Sequence, residues 1–280
     1  MTNPALISVI LPAHDEAAYI GACLSALLTS EGEISAEVIV IANACSDATA
    51  DVARGFAPDA RARGWRLQLV ETATPGKLNA LNLGDDAAGG QIHVYLDADV
   101  TVSPPLLGQV ADALAGKAAL YASGSPVISP ARSVLTRAYA RFWQALPFVA
   151  EDTPGFGLFA VNAAGRARWG RFPDIISDDT FVRLSFAPHE RIRVPATYRW
   201  PMVEGFVPLV RVRRRQDDGV REIARNYPVL LRNAGARSPG AGRLAVRALR
   251  DPLGFAAYAA VKLAVMAPFA RSNSRWVRGR

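Results

Sequence analysis

"HVYLDADV", residues 93–100, ends an apolar run on two aspartates one residue apart. The part from His93 to Leu96 has the length and composition of a buried β-strand. Carboxylates as close as Asp97 and Asp99 repel each other, so a positive group has to lie near them. Mg²⁺ and Mn²⁺ prefer oxygen ligands and are usually held by one or two carboxylates together with substrate phosphates. The stretch therefore predicts a cation site; the alternative is a polar loop in which Asp99 caps the next helix or is solvated.

Short apolar runs and segments of helical spacing alternate on both sides of this stretch. Short apolar runs predict strands at 7–13, 36–43 and 92–99, and an alternation of apolar and polar residues predicts a more exposed strand at 65–72. Apolar residues at helical spacing predict helices at 17–30, 46–57, 76–88 and 103–116. This alternation is typical of the α/β class, here a Rossmann-like, mostly parallel sheet with helices on both faces.

Polar motifs follow three of the predicted strands. They are "PAHDE" at 12–16, "NACSD" at 43–47 and "DAD" at 97–99. Ligands of open parallel sheets bind at the carboxyl ends of the strands. We therefore expect the three motifs to meet at one edge of the sheet and to form a ligand site there.

Two segments, 43–47 and 74–81, allow both a binding role and a structural role. Asn43 and Asp47 are suited to hydrogen-bonding a base or a ribose, while Ser46 and Asp47 would equally explain a turn that caps a helix. In "TPGKLNAL" (74–81), Lys77 opens a predicted helix, and both the lysine and the helix N-terminus favour an anion. An ordinary surface lysine is the alternative there.

A second acidic pair lies farther along the chain, in "SDDT" at 177–180. Adjacent carboxylates raise one another's pKa, which suits a general base. The alternative is helix capping by Ser177 or Asp178. Both roles are compatible if one acid caps the helix and the other, Asp179, points into a cleft.

The remaining reactive side chains form no recognisable site in the sequence. The three histidines have no metal-ligand spacing, and His93 is expected in the core. The two cysteines, Cys23 and Cys45, are typical of reduced thiols in a cytoplasmic protein, and no secretory signal is expected. The sequence lacks the glycine-rich fingerprints of dinucleotide-binding and P-loop enzymes, which argues against both classes.

Taken in order, the motifs resemble those of the family 2 glycosyltransferases, the inverting group with a GT-A fold. The matching segments are "VILPAHDE" (9–16), "VIVIANACSD" (38–47), "GKLNALN" (76–82), "YLDAD" (95–99) and "FPDIISDDTFVRL" (172–184). The resemblance covers about residues 6–215. Each motif is weak alone, but five in the family's order make a strong resemblance.

The resemblance implies a nucleoside-diphosphate sugar donor, a divalent cation (Mg²⁺ or Mn²⁺) and a role for each matching residue. The residues that would surround the donor nucleotide are Pro12, His14, Glu16, Asn43, Asp47 and Lys77. Asp99 would bind the cation that holds the donor diphosphate, and Asp97 would face the ribose or a metal-linked water. Asp179, next to Asp178, would be the general base that deprotonates the acceptor hydroxyl.

The chain departs from the family's pattern at three places. Ala42-Asn43-Ala44 stands where many members have Asp-Asp-Gly, which leaves the nucleotide base open. Asp178-Asp179 replaces Glu-Asp, which leaves open which acid is the base. "RVRRR" at 211–215 has neither the Gln nor the Trp of the processive members' motif, so we expect transfer of a single sugar. Arg214 or Arg215 either meets the donor phosphates or belongs to a solvated or lipid-facing cluster.

The net charge of +7 is unevenly distributed along the chain. Up to Val210 there are 16 Lys and Arg against 21 Asp and Glu, and from Arg211 onward there are 16 against 4. The first part is therefore mildly acidic and the second strongly basic, which is typical of a surface for anionic lipid or nucleic acid. We predict a glycosyltransferase domain at 1–215 and a helical extension at 216–280.

An apolar run at 252–270 lies within the basic part. The arginines that flank it are Arg243, Arg247, Arg250, Arg271, Arg275, Arg278 and Arg280. The run is short for a membrane-spanning helix, which needs roughly 20 apolar residues, and Lys262 lies near its middle. It predicts a helix in the cytoplasmic leaflet with arginines on anionic headgroups; the alternative is a helix packed on the protein itself or on a partner subunit.

The membrane interpretation implies a peripheral protein at the inner face of the cell membrane, with no nucleic-acid partner. It also implies a glycan or lipid-linked acceptor, as in the assembly of a bacterial surface polysaccharide.

Two other function classes fit parts of the sequence. A nucleotidyltransferase that forms sugar nucleotides usually has a glycine-rich, arginine-containing loop after its first strand, unlike "LPAHDEAAYIG" (11–21). A non-catalytic binding protein would need only the basic part, and Asp97, Asp99 and Asp179 argue against it.

Overall fold

The computed structural model describes residues 5–235 and 240–267, so Arg271, Arg275, Arg278 and Arg280 lie outside the described residues. The chain divides into two compact units. The first comprises the residues up to Val127 with Gly155–Asp174 and Ser185–Trp200. The second comprises Ile128–Pro154, Ile175–Leu184 and the residues from Pro201 onward.

The first unit is built on an eight-stranded sheet within the described residues. Its strands are β1 (Ile7–Ala13), β2 (Ala36–Asn43), β3 (Arg66–Thr72), β4 (Ile92–Leu96), β5 (Thr101–Val102), β6 (Tyr121–Ile128), β7 (Leu158–Asn162) and β8 (Arg191–Trp200). They lie in the order β3-β2-β1-β4-β7-β6-β8-β5. The first four strands of this order are parallel, as predicted, whereas β7 pairs antiparallel with both β4 and β6, and β5 with β8. Because of these antiparallel pairs, the sheet is mixed rather than mostly parallel. The sequence pattern predicted no strand beyond residue 99, so it did not indicate β5 to β8.

Helices belong to both units. In the first unit they are α1 (Ile20–Leu28), α2 (Thr49–Gly55), α3 (Ala57–Ala62), α4 (Lys77–Ala87), α5 (Leu106–Ala113) and α8 (Ala163–Arg166), with a short 3₁₀ helix at Pro188–Glu190. In the second unit they are α6 (Val134–Gln144), α7 (Pro147–Ala150), α9 (Asp178–Leu184), α10 (Phe206–Asn226), α11 (Ala241–Arg250) and α12 (Pro252–Met266), with a 3₁₀ helix at Pro228–Asn233. The predicted domain boundary at residue 215 falls inside α10 and stays a prediction.

Helices cover both faces of the parallel half of the sheet. Successive side chains of a strand point to opposite faces. On one face, Val9 and Leu11 of β1 lie in the core that also contains Leu24 of α1. On the other, a Cβ added to Gly84 of α4 would clash with Ile10. Glycine at this position therefore lets α4 pack closely against β1, and both faces of β1 are buried.

A buried polar cluster joins α4 to β4 and α8. The Asp85 carboxylate accepts hydrogen bonds from Tyr95 Oη (2.7 Å) and Arg166 Nη2 (2.8 Å), and His93 Nδ1 lies 3.1 Å from its Oδ1. Burial alone would raise the pKa of Asp85, but the hydrogen bonds from His93, Arg166 and Tyr95 lower it overall. His93 is buried, as predicted for a core residue, and serves this cluster.

We expect Asp85→Asn to destabilise the protein by about 3 kcal/mol at neutral pH, because it leaves the Arg166 guanidinium without its buried counter-charge. A carboxylate with a lowered pKa stabilises the fold above its unfolded-state pKa, about 4, and this contribution is lost as the pH falls through the folded-state pKa. Urea unfolding of the wild type and of Asp85→Asn measures the difference in their free energies of unfolding. This difference should become smaller as the pH is lowered. The exposed neighbour Asp86, 3.1 Å from Arg171, is the control, and Asp86→Asn should cost less than about 1 kcal/mol. Equal effects at the two positions would contradict the role of the cluster.

The predicted helix at 252–270 begins at Pro252 and is described as far as Met266. Tyr258 packs against Tyr139 and Phe142 of α6, with ring centroids 5.9 and 5.2 Å apart, and Val261 is buried. One face of α12 therefore packs on the protein itself, which is one of the two alternatives that the sequence left open. In the described residues, no helix combines the length and the apolar composition needed to cross a membrane.

Two basic side chains fix α12 to α10. Arg214 Nη2 donates to the carbonyls of Ala264 (2.5 Å) and Ala267 (2.9 Å) at the end of α12, where helical carbonyls lack intrahelical partners. Lys262 Nζ lies 3.4 Å from Asp217 Oδ2 of α10. The structure thus gives Arg214 and Lys262 a packing role that the sequence did not predict.

Candidate active site

Loops at the carboxyl ends of β1 and β2 are hydrogen-bonded to each other in the first unit. Because β1 pairs in parallel with β2 and β4, the carboxyl ends of all three strands lie at one edge of the sheet. His14 Nδ1 lies 2.8 Å from the Asn43 carbonyl oxygen, and Glu16 N donates to Thr49 Oγ1 at 2.7 Å. Pro12 is buried as the next-to-last residue of β1. The structure therefore brings the predicted residues of 12–16 and 43–47 together.

Asp15 is a residue of this edge that the sequence analysis did not single out. Its Oδ1 accepts hydrogen bonds from Ser46 N (2.5 Å) and Ser46 Oγ (3.1 Å), and its φ is 51°. Asp tolerates this left-handed conformation better than most residues. Ser46, predicted as a possible helix cap, instead holds Asp15. The sequence does contain a signal for this contact, because short polar residues follow both β1 and β2, which are neighbours in the sheet.

Asp47 organises the turn before α2. Its carboxylate accepts hydrogen bonds from Ala17 N (3.1 Å) and from Thr49 N (2.9 Å). Burial would raise the pKa of Asp47, but the hydrogen bonds from Thr49 and Ala17 lower it overall. Asp47 thus stabilises the turn before α2, while the N-cap position of that helix is Ala48, and its predicted contact with a ribose stays a prediction.

Asn43 is an unusual buried amide at the end of β2. Its side chain is 0% exposed, and in the part of the chain that the structure describes neither Nδ2 nor Oδ1 has a hydrogen-bond partner. Buried polar groups of native proteins are nearly always paired, and an unpaired one costs about 1–3 kcal/mol. An orphaned amide at a strand end is therefore a candidate contact for a ligand.

The "DAD" turn follows β4 and is fixed through its backbone. Asp97 N donates to the Gly157 carbonyl at 2.9 Å, and Val100 N donates to the Asp97 carbonyl at 3.1 Å. Gly157 has a φ of 75°, a conformation that favours glycine. Lys77, the first residue of α4, places Nζ 2.9 Å from Asp97 Oδ1. This lysine supplies the positive group that the two close carboxylates of the turn require.

The donor set at the "DAD" turn fits a hard cation that a substrate helps to hold. It offers two carboxylates, Asp97 and Asp99, and Lys77 already engages one oxygen of Asp97. Such a set suits Mg²⁺ or Mn²⁺ completed by phosphate oxygens.

In the described residues, a different cluster, Asp15, Cys45 and Asp47, offers three possible ligand atoms for a metal ion. Its thiol suits a soft metal, and hydrogen bonds already occupy both of its carboxylates, so it does not match a magnesium site.

The second acidic pair opens α9, in the second unit. Asp178 is buried, whereas Asp179 is partly exposed and its Oδ1 accepts the Thr180 amide at 2.6 Å. A Cβ on Gly219 of α10 would clash with the Ser177 side chain, so the start of α9 lies close against α10. The structure thus distinguishes the two acids by burial and leaves Asp179 the more accessible one.

The model of the family described as "Glycosyl transferase family 2" matches residues 8–171, which is more than half of the chain and contains the three strand-end motifs. The chain belongs to this family. This is the family that the resemblance predicted. The family match includes Lys77, Asp97 and Asp99 and ends before Asp178 and Asp179.

Known proteins resemble this chain in sequence and in fold. The chain is 34% identical over 94 residues to glycosyltransferase AglE of Haloferax volcanii, a match that spans 33% of this chain and 30% of that protein. The mannosyltransferase PcManGT from Pyrobaculum calidifontis, in complex with GDP-Man and Mn²⁺, has a TM-score of 0.58 at 23% identity, covering 96% of this chain and 77% of that one. S. aureus TarS 1-349 has a TM-score of 0.56 at 16% identity, covering 95% of this chain and 73% of that one. These likenesses confirm the predicted GT-A type of α/β fold.

Proposed function

We propose that this chain is a metal-dependent inverting glycosyltransferase that moves one sugar from a nucleoside-diphosphate sugar to an acceptor hydroxyl. The observation that carries the proposal is the ion pair of Lys77 and Asp97 beside Asp99, at the carboxyl edge of the parallel strands. The complex of PcManGT with GDP-Man and Mn²⁺ supports it through a related fold.

The donor diphosphate would lie at the "DAD" turn. When bound, a Mg²⁺ or Mn²⁺ ion held by Asp99, with Asp97, would supply the positive charge that stabilises the departing nucleoside diphosphate. Lys77 holds Asp97 in place and adds a second positive charge to the same turn. The loops with His14, Glu16 and Asp47 would border the nucleoside.

Asp179 is our proposed general base, with Asp178 as its buried neighbour. The carboxylate of Asp179 would take the proton of the acceptor hydroxyl while the hydroxyl oxygen forms its bond to the anomeric carbon. The bond from the anomeric carbon to the diphosphate oxygen breaks on the opposite side, so the configuration inverts and the nucleoside diphosphate leaves with the bonding electrons. The partial exposure of Asp179, in contrast to the burial of Asp178, supports this assignment.

The acceptor we propose is a lipid-linked or glycan hydroxyl reached from the inner face of the cell membrane, as in cell-envelope polysaccharide synthesis. The outer face of α12 supports a peripheral contact with lipid, because Leu253, Leu263 and Met266 are each more than two thirds exposed. The basic composition of the chain from Arg211 onward fits an anionic membrane surface.

A panel of sugar nucleotides tests the proposal. The full chain is incubated with each donor, with and without Mn²⁺, and both bound donor and released product are measured. We expect metal-dependent donor binding and release of a nucleoside diphosphate. Release of pyrophosphate would indicate a nucleotidyltransferase instead. Absence of nucleotide binding under every metal condition would overturn both enzyme classes.

Asn43 gives a prediction in which stability and function change in opposite directions. We expect Asn43→Leu to raise the free energy of unfolding by about 1–3 kcal/mol, since it removes an unpaired buried amide, and to weaken donor binding about tenfold. The control is Asn82, also buried, whose Oδ1 accepts the Phe172 amide at 2.8 Å. Asn82→Leu should destabilise the protein. Unfolding curves and donor titrations measure both effects, and unchanged donor affinity in Asn43→Leu would remove Asn43 from the site.

A further inference from the structure

A cavity of about 810 Å³ lies in the second unit, between the end of α6 and α11. Its lining includes Arg141, Arg243, Arg247, Arg250 and Asp251. We call it the basic cavity. Its volume lies within the range of small-molecule sites, and none of the roles proposed above uses it.

The charges of the basic cavity are only partly balanced within the described residues. Arg141 forms a two-point ion pair with Asp251, with its Nε 2.8 Å from Oδ2 and its Nη2 2.5 Å from Oδ1. That pair uses the cavity's carboxylate. Arg247 donates to the Ala145 carbonyl, which is a neutral group. Arg243 lies 3.8 Å from Glu151 on the exposed surface, a weak contact.

Three guanidinium groups therefore give the basic cavity a net positive charge. Arg243, Arg247 and Arg250 are spaced i, i+4 and i+7 on α11, so they lie on one side of that helix. Guanidinium groups match the geometry of phosphate oxygens and hold them through paired hydrogen bonds. The chemistry of the lining fits a phosphate ester.

An exposed apolar ridge borders these arginines. Val246, which lines the cavity, is 51% exposed, and Leu249, three residues farther along α11, is 83% exposed. Leu253, in the first turn of α12, is 73% exposed. A soluble phosphate ligand needs no such ridge, whereas a helix with arginines beside large exposed apolar side chains is typical of one lying in a lipid headgroup layer.

We propose that the basic cavity binds the phosphate of an anionic phospholipid headgroup, while Val246, Leu249 and Leu253 enter the adjoining acyl layer. This inference rests on the proposed membrane location and assigns it to a particular site. The arginines would contact the phosphate oxygens, and Asp251 would hold Arg141 in position at the rim. The site would fix which surface of the enzyme faces the bilayer.

Vesicle binding by the full chain tests the proposal. The probes are vesicles of phosphatidylglycerol mixed with phosphatidylcholine, vesicles of phosphatidylcholine alone, glycerol 3-phosphate in solution, and a short RNA. We expect binding to the anionic vesicles. The double variant Arg243→Gln/Arg250→Gln should bind them about 30-fold more weakly. Among the described residues, Arg250 has no hydrogen-bond partner and Arg243 has only its exposed contact with Glu151 at 3.8 Å, so the variant should keep its unfolding temperature.

The matched control removes two positive charges elsewhere. Arg61 of α3 and Arg225 of α10 are exposed and do not line the basic cavity. Arg61→Gln/Arg225→Gln should change vesicle binding by less than about threefold, because it leaves every residue that lines the basic cavity unchanged. An equal loss in the two double variants would contradict a specific site and indicate diffuse attraction by net charge.

The ridge has a test of its own. Leu249→Ser/Leu253→Ser replaces exposed side chains, so folding should be unaffected while binding to anionic vesicles falls. Unchanged binding of this variant, or equal binding of the wild type to phosphatidylcholine alone, would overturn the lipid assignment. So would saturable binding of glycerol 3-phosphate, or of the RNA, that Arg243→Gln/Arg250→Gln abolishes. Donor binding measured on the same preparations separates the two proposals, since intact donor binding without vesicle binding refutes only this one.

Discussion

Asp179→Asn should lower the rate of sugar transfer by about 10²–10⁴-fold while leaving donor affinity unchanged. The amide has nearly the shape of the carboxylate but does not accept a proton from the acceptor hydroxyl. Its oxygen still accepts the Thr180 amide hydrogen bond that the Asp179 carboxylate accepts at 2.6 Å, so the start of α9 should remain intact. Transfer is measured under single-turnover conditions, and donor affinity by titration calorimetry.

Two further variants control this experiment. Asp218→Asn makes the same chemical change on the exposed surface of α10, beside Arg221, and should transfer normally. Asp178→Asn changes the buried neighbour and should act mainly on stability. If Asp178→Asn loses transfer with full stability and Asp179→Asn remains active, the base is Asp178. Loss of donor binding in Asp179→Asn would indicate a structural role for that residue.

Asp99→Asn should make donor binding independent of Mn²⁺. Loss of even an outer-shell partner costs about 10–100-fold in metal affinity, so loss of a direct ligand should cost at least about 100-fold. Because the protein offers only two carboxylates at this turn, and Lys77 engages one of them, we expect the metal to bind appreciably only together with the donor diphosphate. Donor titrations with and without Mn²⁺ measure this dependence.

The control for Asp99 is Asp112, an exposed residue of α5. Asp112→Asn should keep the metal dependence of the wild type. In the absence of metal, the wild type and Asp99→Asn should bind the donor equally weakly. A variant without Asp99 that still gains donor affinity from Mn²⁺ would place the metal elsewhere, and the cluster of Asp15, Cys45 and Asp47 would be the first site to test.

The parallel half of the fold was predictable because its signals are local. The runs that became β1, β2 and β4 are apolar on both faces, as strands covered by helices on both sides must be. The strands β6 and β8 carry weaker signals, since "YASGSPVI" and "RIRVPATYRW" each contain a proline and several polar residues. Their pairing depends on partners distant in the chain, which no local pattern specifies.

Several features of the candidate site depend on tertiary contacts rather than on local pattern. The sequence indicated that the close carboxylates Asp97 and Asp99 need a positive neighbour, and it indicated an anion-favouring Lys77. Only the fold joins the two, because the start of α4 and the end of β4 meet at one edge of the sheet. The bond between Asp15 and Ser46 likewise follows from the alignment of β1 with β2.

The apolar pattern of α12 did not indicate which partner covers its apolar side. Tyr258 packs against α6 and Val261 is buried, but an apolar stripe has the same pattern whether it faces lipid or protein. The aromatic side chains of α6 provide the partner for that side. Any contact with lipid therefore has to use the other side chains of α12, together with α11.

Anomalous diffraction from crystals grown with Mn²⁺ and a nucleoside diphosphate tests the central claim most directly. We predict a manganese peak bound by the Asp99 carboxylate and by oxygens of the diphosphate, with Lys77 and Asp97 beside it. The nucleoside should lie against the loops that follow β1 and β2. A manganese ion at Asp15, Cys45 and Asp47, or a nucleotide bound away from the ends of β1 and β4, would contradict this account of the donor site.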